Sequence, residues 1–156
     1  MTAAAPLSTG ATRLVESSLL GRFAVEEERV FEFPDGLPGF PTCRQWILVD
    51  AGHPGCAWLQ AVTESLVTFF VLDPFRAVPG YTLDIPDEQL SRLGALSAES
   101  IAVLGVVTLP RSAEEPATIN LQGPLILDVH TRRGAQLVLA ESTLGLRHPV
   151  DLGSIG

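Results

Sequence analysis

The stretch TINLQGPLILDV, from Thr118 to Val129, holds two short apolar runs separated by Gln122, Gly123 and Pro124. Gly123 leaves the backbone free of Cβ hindrance. Pro124 fixes φ near about −65° and lacks an N–H donor, so a hydrogen-bonded ladder must break or begin there. The pattern predicts two strands meeting at a bend, with Gly123 and Pro124 as turn formers. Asn120, the one asparagine of the sequence, stands at the start of the bend, where its side chain can bond the neighbouring backbone in an Asx-type turn.

Short apolar segments punctuated by Gly and Pro continue on both sides. Towards the N-terminus, Phe23, Val25, then Val30 or Phe31, and Phe33 flank Glu26-Glu27-Glu28-Arg29, which reads as two strands joined by an acidic turn. PDGLPGFP (Pro34 to Pro41) packs three Pro and two Gly into eight residues and must be a loop, with Gly36, Pro38 and Gly39 setting its turns. QWILVD (Gln45 to Asp50) and CAWLQAV (Cys56 to Val62) read as a hairpin around AGHPG, with Trp46 facing Trp58 across it. LVTFFVLDPF (Leu66 to Phe75) and IAVLGVVTL (Ile101 to Leu109) are apolar without alternation, which predicts strands covered on both faces. YTLDI (Tyr81 to Ile85) and QLVLA (Gln136 to Ala140) are shorter strand candidates. PDEQLSRLG (Pro86 to Gly94) is the one helix, opening on Pro86, Asp87 and Glu88 and stopping at Gly94.

About eight or nine strands at spacings of roughly 8–12 residues, with one short helix, give an all-β class in the main. The expected architecture is a small antiparallel β-barrel-like domain over residues 21–150, because closure hides the edges that short strands leave open. Residues 1–20 read as a flexible N-terminal extension and residues 151–156 as a loose C-terminal tail.

Composition narrows the partners. The net charge of −8 and the absence of Lys, all ten basic residues being Arg, disfavour direct binding to nucleic acid. Without Lys, Schiff-base chemistry and a Walker-type phosphate loop are excluded. No apolar run reaches the 18 or so residues needed to cross a bilayer, and MTAAAPLSTGATRLVESS lacks a basic start followed by an unbroken apolar block, so it reads as neither a secretory signal nor a mitochondrial presequence. The expectation is a cytoplasmic protein with no membrane partner, monomeric when free. Cys43 and Cys56 carry no CxxC spacing and read as reduced thiols.

No catalytic constellation is written into the chain. There is no Gly-x-Ser-x-Gly elbow, no HExxH or EF-hand spacing and no glycine-rich dinucleotide loop, so catalytic residues, metal ligands and cofactors are all expected to be none. His53, His130 and His148 fall in three different segments. Asp73, ahead of Pro74, reads as a turn cap. A small-molecule enzyme would require Asp73, His130 and His148 to converge on one pocket.

GLPGF (Gly36 to Phe40), WLQ (Trp58 to Gln60), FFVLDPF followed by Tyr81, NLQGPLIL (Asn120 to Leu127) and LRHP (Leu146 to Pro149) resemble, in the same order, the motifs of the FliW family of flagellar assembly factors. The resemblance spans about Gly21 to Val150. The chain departs from it at Gly123, where the family commonly has Ala, at Asp128, where it commonly has Asn, and at Leu144, where an aromatic is frequent. The resemblance implies a β-barrel-like, non-enzymatic switch. Such a protein binds the RNA-binding translational repressor CsrA, relieving repression of flagellin synthesis, and also binds flagellin as the competing partner. A dedicated flagellin chaperone that never meets CsrA is the alternative. Phe40, Phe75, Tyr81, Asn120, Arg147 and His148 are the candidate protein-binding residues, aromatics as anchors and polar groups for orientation.

Overall fold

The computed structural model describes residues 11–139 and 145–154, and among them the chain is mainly antiparallel β. The strands in chain order are β1 (Thr12–Ser17), β2 (Gly21–Glu26), β3 (Phe31–Glu32), β4 (Gln45–Asp50), β5 (Cys56–Ala61), β6 (Thr68–Leu72), β7 (Ile101–Thr108), β8 (Ala117–Ile119), β9 (Leu125–Asp128), β10 (Gly134–Gln136) and β11 (His148–Val150). The two α-helices are α1 (Pro74–Ala77) and α2 (Asp87–Leu93). The count among the described residues exceeds eight or nine because several strands hold only two to four residues, and α1 is a helix the sequence did not announce.

The main sheet runs β10-β9-β7-β6-β5-β4-β3, with β8 also paired to β7 and β11 to β8. It curls so that its two ends approach, yet among the described residues they pair as strands only through one parallel bridge, Glu32 to Arg133, and the barrel does not close. Its concave face carries alternate residues of β3, β4, β5, β6, β7 and β9. Phe31, Phe33, Trp46, Leu59, Ala61, Val71, Leu125 and Leu127 form the central cluster, with Phe69 and Val106 packed against it. The Trp46 indole meets its one polar need there by donating to the Cys43 carbonyl at 2.8 Å.

The convex face is covered in three places. The β1–β2 ribbon lays Val15, Phe23 and Val25 over Ile47 and Val62. The segment after α1 sets Val78 and Tyr81 on Leu72, Val107 and Ile119. Helix α2 seats Leu93 against Ile126, Ile101 and Val103. Cover on both faces accounts for the unbroken apolar runs of β6 and β7. Helix α2 starts at Pro86, carries Asp87 and Glu88 in its first turn and ends on Gly94 at φ 71°.

Strands β8 and β9 run along one edge of β7. Val107 lies opposite Ile119 and Leu104 opposite Leu125, so three steps along β7 correspond to six along its neighbour. The surplus is taken up as a wide bulge at residues 120–124, and the bend expected at Gly123-Pro124 is this bulge.

Several expectations are corrected. Residues 11–20 are not a flexible extension: β1 pairs with β2 through six register positions and Val15 is fully buried. Residues 1–10 lie outside the described residues. The two strands around the acidic turn do not form a hairpin, because β2 pairs with β1 and β3 with β4, while Glu27–Arg29 form a 3₁₀ turn between them. Trp46 and Trp58 do not face each other. Trp46 opposes Ala61 and Trp58 opposes Val49, which puts the indoles on opposite faces, Trp46 beside Phe33 and Phe69 and Trp58 beside Phe70.

Tyr81 to Ile85 form no ladder, although Tyr81, Leu83 and Ile85 all turn inward. At the C-terminus, Leu152–Ser154 form a 3₁₀ turn whose Leu152 packs on the core beside Val150, and that part of the tail is not loose. Ala140, Leu144, Ile155 and Gly156 lie outside the described residues.

Candidate protein-binding surface

The bulge is built by its own side chains. Asn120 Oδ1 accepts from the backbone N–H of Gln122 at 3.0 Å and of Gly123 at 3.1 Å, while its own N–H donates to the Val106 carbonyl at 2.9 Å. Gln136 Nε2 donates to the Gly123 carbonyl at 2.9 Å, and a Cβ on residue 123 would stand 2.5 Å from that nitrogen. Pro124 is buried, and its carbonyl accepts from Leu137 N–H at 2.9 Å. On the other flank Leu121 N–H reaches the Gly145 carbonyl at 3.0 Å. The bulge is therefore clamped between the chain after β10 and the chain before β11.

Around it the surface is apolar and basic. Val138 and Leu146 are exposed on the two clamping segments, and Leu109 at the end of β7 is also open. Arg147 is exposed and shares a recess of about 320 Å³ with Thr108, Leu109 and Glu115. His148 is half-buried in β11, opposite Ile119. Asn120, Arg147 and His148 thus share the β8–β11 corner. The oxygen of Asn120 is already committed to the turn, which leaves Arg147 as the outward polar group.

The three aromatic candidates lie elsewhere. Phe75, about half exposed, packs edge-on against Tyr81 with centroids 4.9 Å apart. Tyr81 itself is buried, its hydroxyl closed off without a hydrogen-bond partner among the described residues, so it supports Phe75 and presents no ring to a partner. Burial raises its pKa above the ordinary phenol value. Phe40 is half-buried edge-on to Phe69. Its loop is pinned where Phe40 and Leu37 exchange backbone bonds, and Gly36 (φ 65°) and Gly39 (φ 86°) take the left-handed turns. A Cβ on Gly36 would stand 2.5 Å from the Phe40 carbonyl oxygen.

Asp73, His130 and His148 do not converge on one pocket. Asp73 caps α1, accepting from Phe75 N–H at 2.9 Å, and borders a recess with Cys56. His130 borders a different one beside Ser100 and Asp128, and His148 belongs to β11. Asp128 is buried, and desolvation alone would raise its pKa. Hydrogen bonds from the His130 backbone, Ser100 and Thr131 outweigh that and hold the carboxyl below the ordinary carboxylate range. Burial, with a smaller contribution from Glu64, pushes the Cys43 thiol up. Among the described residues no group of three or more His, Cys, Asp or Glu is placed to hold a metal ion, and no helix is long and apolar enough to cross a membrane.

Two basic residues escaped the sequence reading. Arg92, in the last turn of α2, and Arg133, beside β10, border a groove of about 540 Å³ together with the GLPGF loop. Nothing in their local sequence separates them from other solvated arginines. Tertiary packing alone brings them to one site.

A family model described as FliW protein matches residues 14–150. The flagellar assembly factor FliW of Caldicellulosiruptor bescii is 32% identical over 135 residues, covering 86% of this chain and 88% of that protein. That of Treponema denticola is 33% identical over 136 residues, covering 87% and 92%. The crystal structure of a flagellar assembly factor FliW superposes with a TM-score of 0.81 at 26% identity, covering 88% of this chain and 96% of that one.

Proposed function

The chain belongs to the FliW family, and on that premise we propose that it is a non-enzymatic flagellar assembly factor that works by occupying two proteins in turn. One is a CsrA-like translational repressor, whose hold on flagellin synthesis it relieves. The other is flagellin, which competes for it. The observation that carries the reading is the family match across almost the whole β body, residues 14–150. It acts in the cytoplasm, as a monomer when free.

Charge supports the first interaction. With a net charge of −8, and with Glu26, Glu28, Glu114 and Glu115 exposed, a docked chain repels an RNA backbone approaching the same repressor. That repulsion reaches about 8 Å at physiological salt. Glu27 contributes less, since Arg13 pairs with it at 2.8 Å. On the binding side, the apolar and basic corner of Leu109, Leu146 and Arg147 beside the bulge, with Phe75, supplies anchors of the kind found at interface centres.

The test is co-purification of the chain with the host's flagellin and with its CsrA-like protein separately, followed by competition. Both proteins should bind, and flagellin should displace the repressor. Retention of flagellin alone would make the chain a dedicated flagellin chaperone, and failure to retain either would end the proposal.

A further inference from the structure

The place where the barrel fails to close is a groove with an unfinished strand edge. Glu32 N–H donates to the Arg132 carbonyl at 2.7 Å, Glu32 and Arg133 form the single bridge, and beyond it the chain turns away at Pro34 while β10 continues. The wedge between them, about 540 Å³, is walled by the GLPGF loop, the end of α2 and β10, with Leu37, Leu93 and Ala135 among its apolar lining.

The edge of β10 facing this wedge has no ladder partner past the bridge among the described residues. On its other side, Asp128 N–H bonds the Arg133 carbonyl at 2.8 Å and Leu137 N–H bonds the Pro124 carbonyl at 2.9 Å. Odd-numbered residues of this stretch therefore serve β9. Strand alternation then turns the Gly134 carbonyl and the Gln136 N–H and carbonyl towards the wedge. An open edge of that kind is a template for one more strand.

The charges say which strand. Arg92 and Arg133 border the groove against one carboxylate, Asp35, in a chain whose overall balance is strongly negative. Arg92 already holds Asp35 at 3.1 Å across the mouth. Arg133 has neither an ion pair nor a side-chain hydrogen bond with any described residue, so its guanidinium is available.

We propose that this seam takes an extended, acidic segment of a protein partner, added as a strand along β10 with a carboxylate on Arg133. The segment stands where a continuation of β3 would have closed the barrel. The inference goes beyond the assembly-factor reading and is independent of which partner supplies the segment.

The test is an NMR titration of the full, ¹⁵N-labelled chain with a terminally blocked pentapeptide of alternating Val and Glu. Matched peptides carry Gln or Lys in place of Glu. The acidic peptide should shift the amides of residues 133–136 and 37–40 and bind about tenfold more tightly than the Gln peptide, the difference expected of a charge-assisted contact. The Lys peptide should leave them unmoved. Arg133→Glu, an exposed change whose remaining spectrum reports an intact fold, should reverse the preference. Equal binding of all three peptides, shifts confined to another edge such as β1, no shift at millimolar peptide, or self-association of the chain through the seam in sedimentation would each overturn it.

Discussion

Gly134 lies directly beneath the Phe33 ring, so close that a Cβ on residue 134 would stand 2.4 Å from the ring's Cζ. Phe33 is fully buried beside Trp46, with ring centroids 6.4 Å apart, and has nowhere to retreat. The backbone at 134 is not left-handed, so an Ala there pays only in packing. Gly134→Ala is expected to destabilise the protein by about 1–3 kcal/mol, the range for overpacking a filled core. Urea unfolding should show a lower midpoint with an unchanged slope. Because this contact closes the base of the seam, the same variant should also shift the amides of residues 133–136.

Asn120 and Gly123 make opposite predictions within one bulge. Asn120→Ala removes the acceptor of two backbone N–H groups and is expected to cost about 1–2 kcal/mol, while Asn120→Asp, which keeps the acceptor, should cost less. Gly123→Ala confronts chiefly the far end of the flexible Gln136 side chain, which can swing away, and meets the Asn120 Nδ2 at 3.3 Å, which need give by only a few tenths of an ångström. Its expected effect is the loss of one side-chain hydrogen bond, about 1 kcal/mol or less. Denaturant midpoints of the three variants check the order.

What could be read from sequence depended on whether a residue's neighbours were local. Helix α2 was readable because its start at Pro86, its acidic first turn and its Gly94 stop act within one segment. The Asn120-Gly123-Pro124 bend was readable for the same reason, and the family order of motifs supplied the rest. Strand β1 was not: TRLVES looks polar, and only the ribbon's docking on Ile47 and Val62 gives Val15 a core to enter. The Trp46–Trp58 pairing failed on register, which the turn between them sets and the residue types do not. The strand expected over Tyr81 to Ile85 is absent, because no neighbouring strand among the described residues pairs with it, although Tyr81, Leu83 and Ile85 turn inward as the alternation would have them. The meeting of Arg92 and Arg133 at one groove is wholly tertiary.

Asp128 predicts an acid limb. Its folded pKa lies below its unfolded value, so the unfolded state takes up the proton first as pH falls. The stabilisation is complete above the unfolded pKa, close to the ordinary 3.8, and is lost as pH drops through the lower folded value. Asp128→Asn keeps an acceptor for His130 N–H and removes the titration. Between about pH 5 and pH 2 the urea midpoint of the parent protein should fall faster than that of the variant. Parallel profiles would show that other carboxylates govern acid unfolding.

Tyr81 predicts the reverse limb. Its hydroxyl is buried without a partner among the described residues, so Tyr81→Phe removes a desolvated polar group and keeps the edge-on contact with Phe75. The variant should be as stable as the parent or more stable by about 1–3 kcal/mol, the cost of an unmet buried group. Burial raises the folded pKa above the unfolded value, so stability is whole below about pH 10 and declines as pH rises towards the folded pKa, because only the unfolded state releases the proton readily. Unfolding midpoints from pH 8 to 11 should fall for the parent and stay flatter for Tyr81→Phe. Absorbance of the phenolate should grow in step with unfolding; phenolate growth in the folded protein near the ordinary phenol pKa of about 10 would show that the hydroxyl reaches solvent.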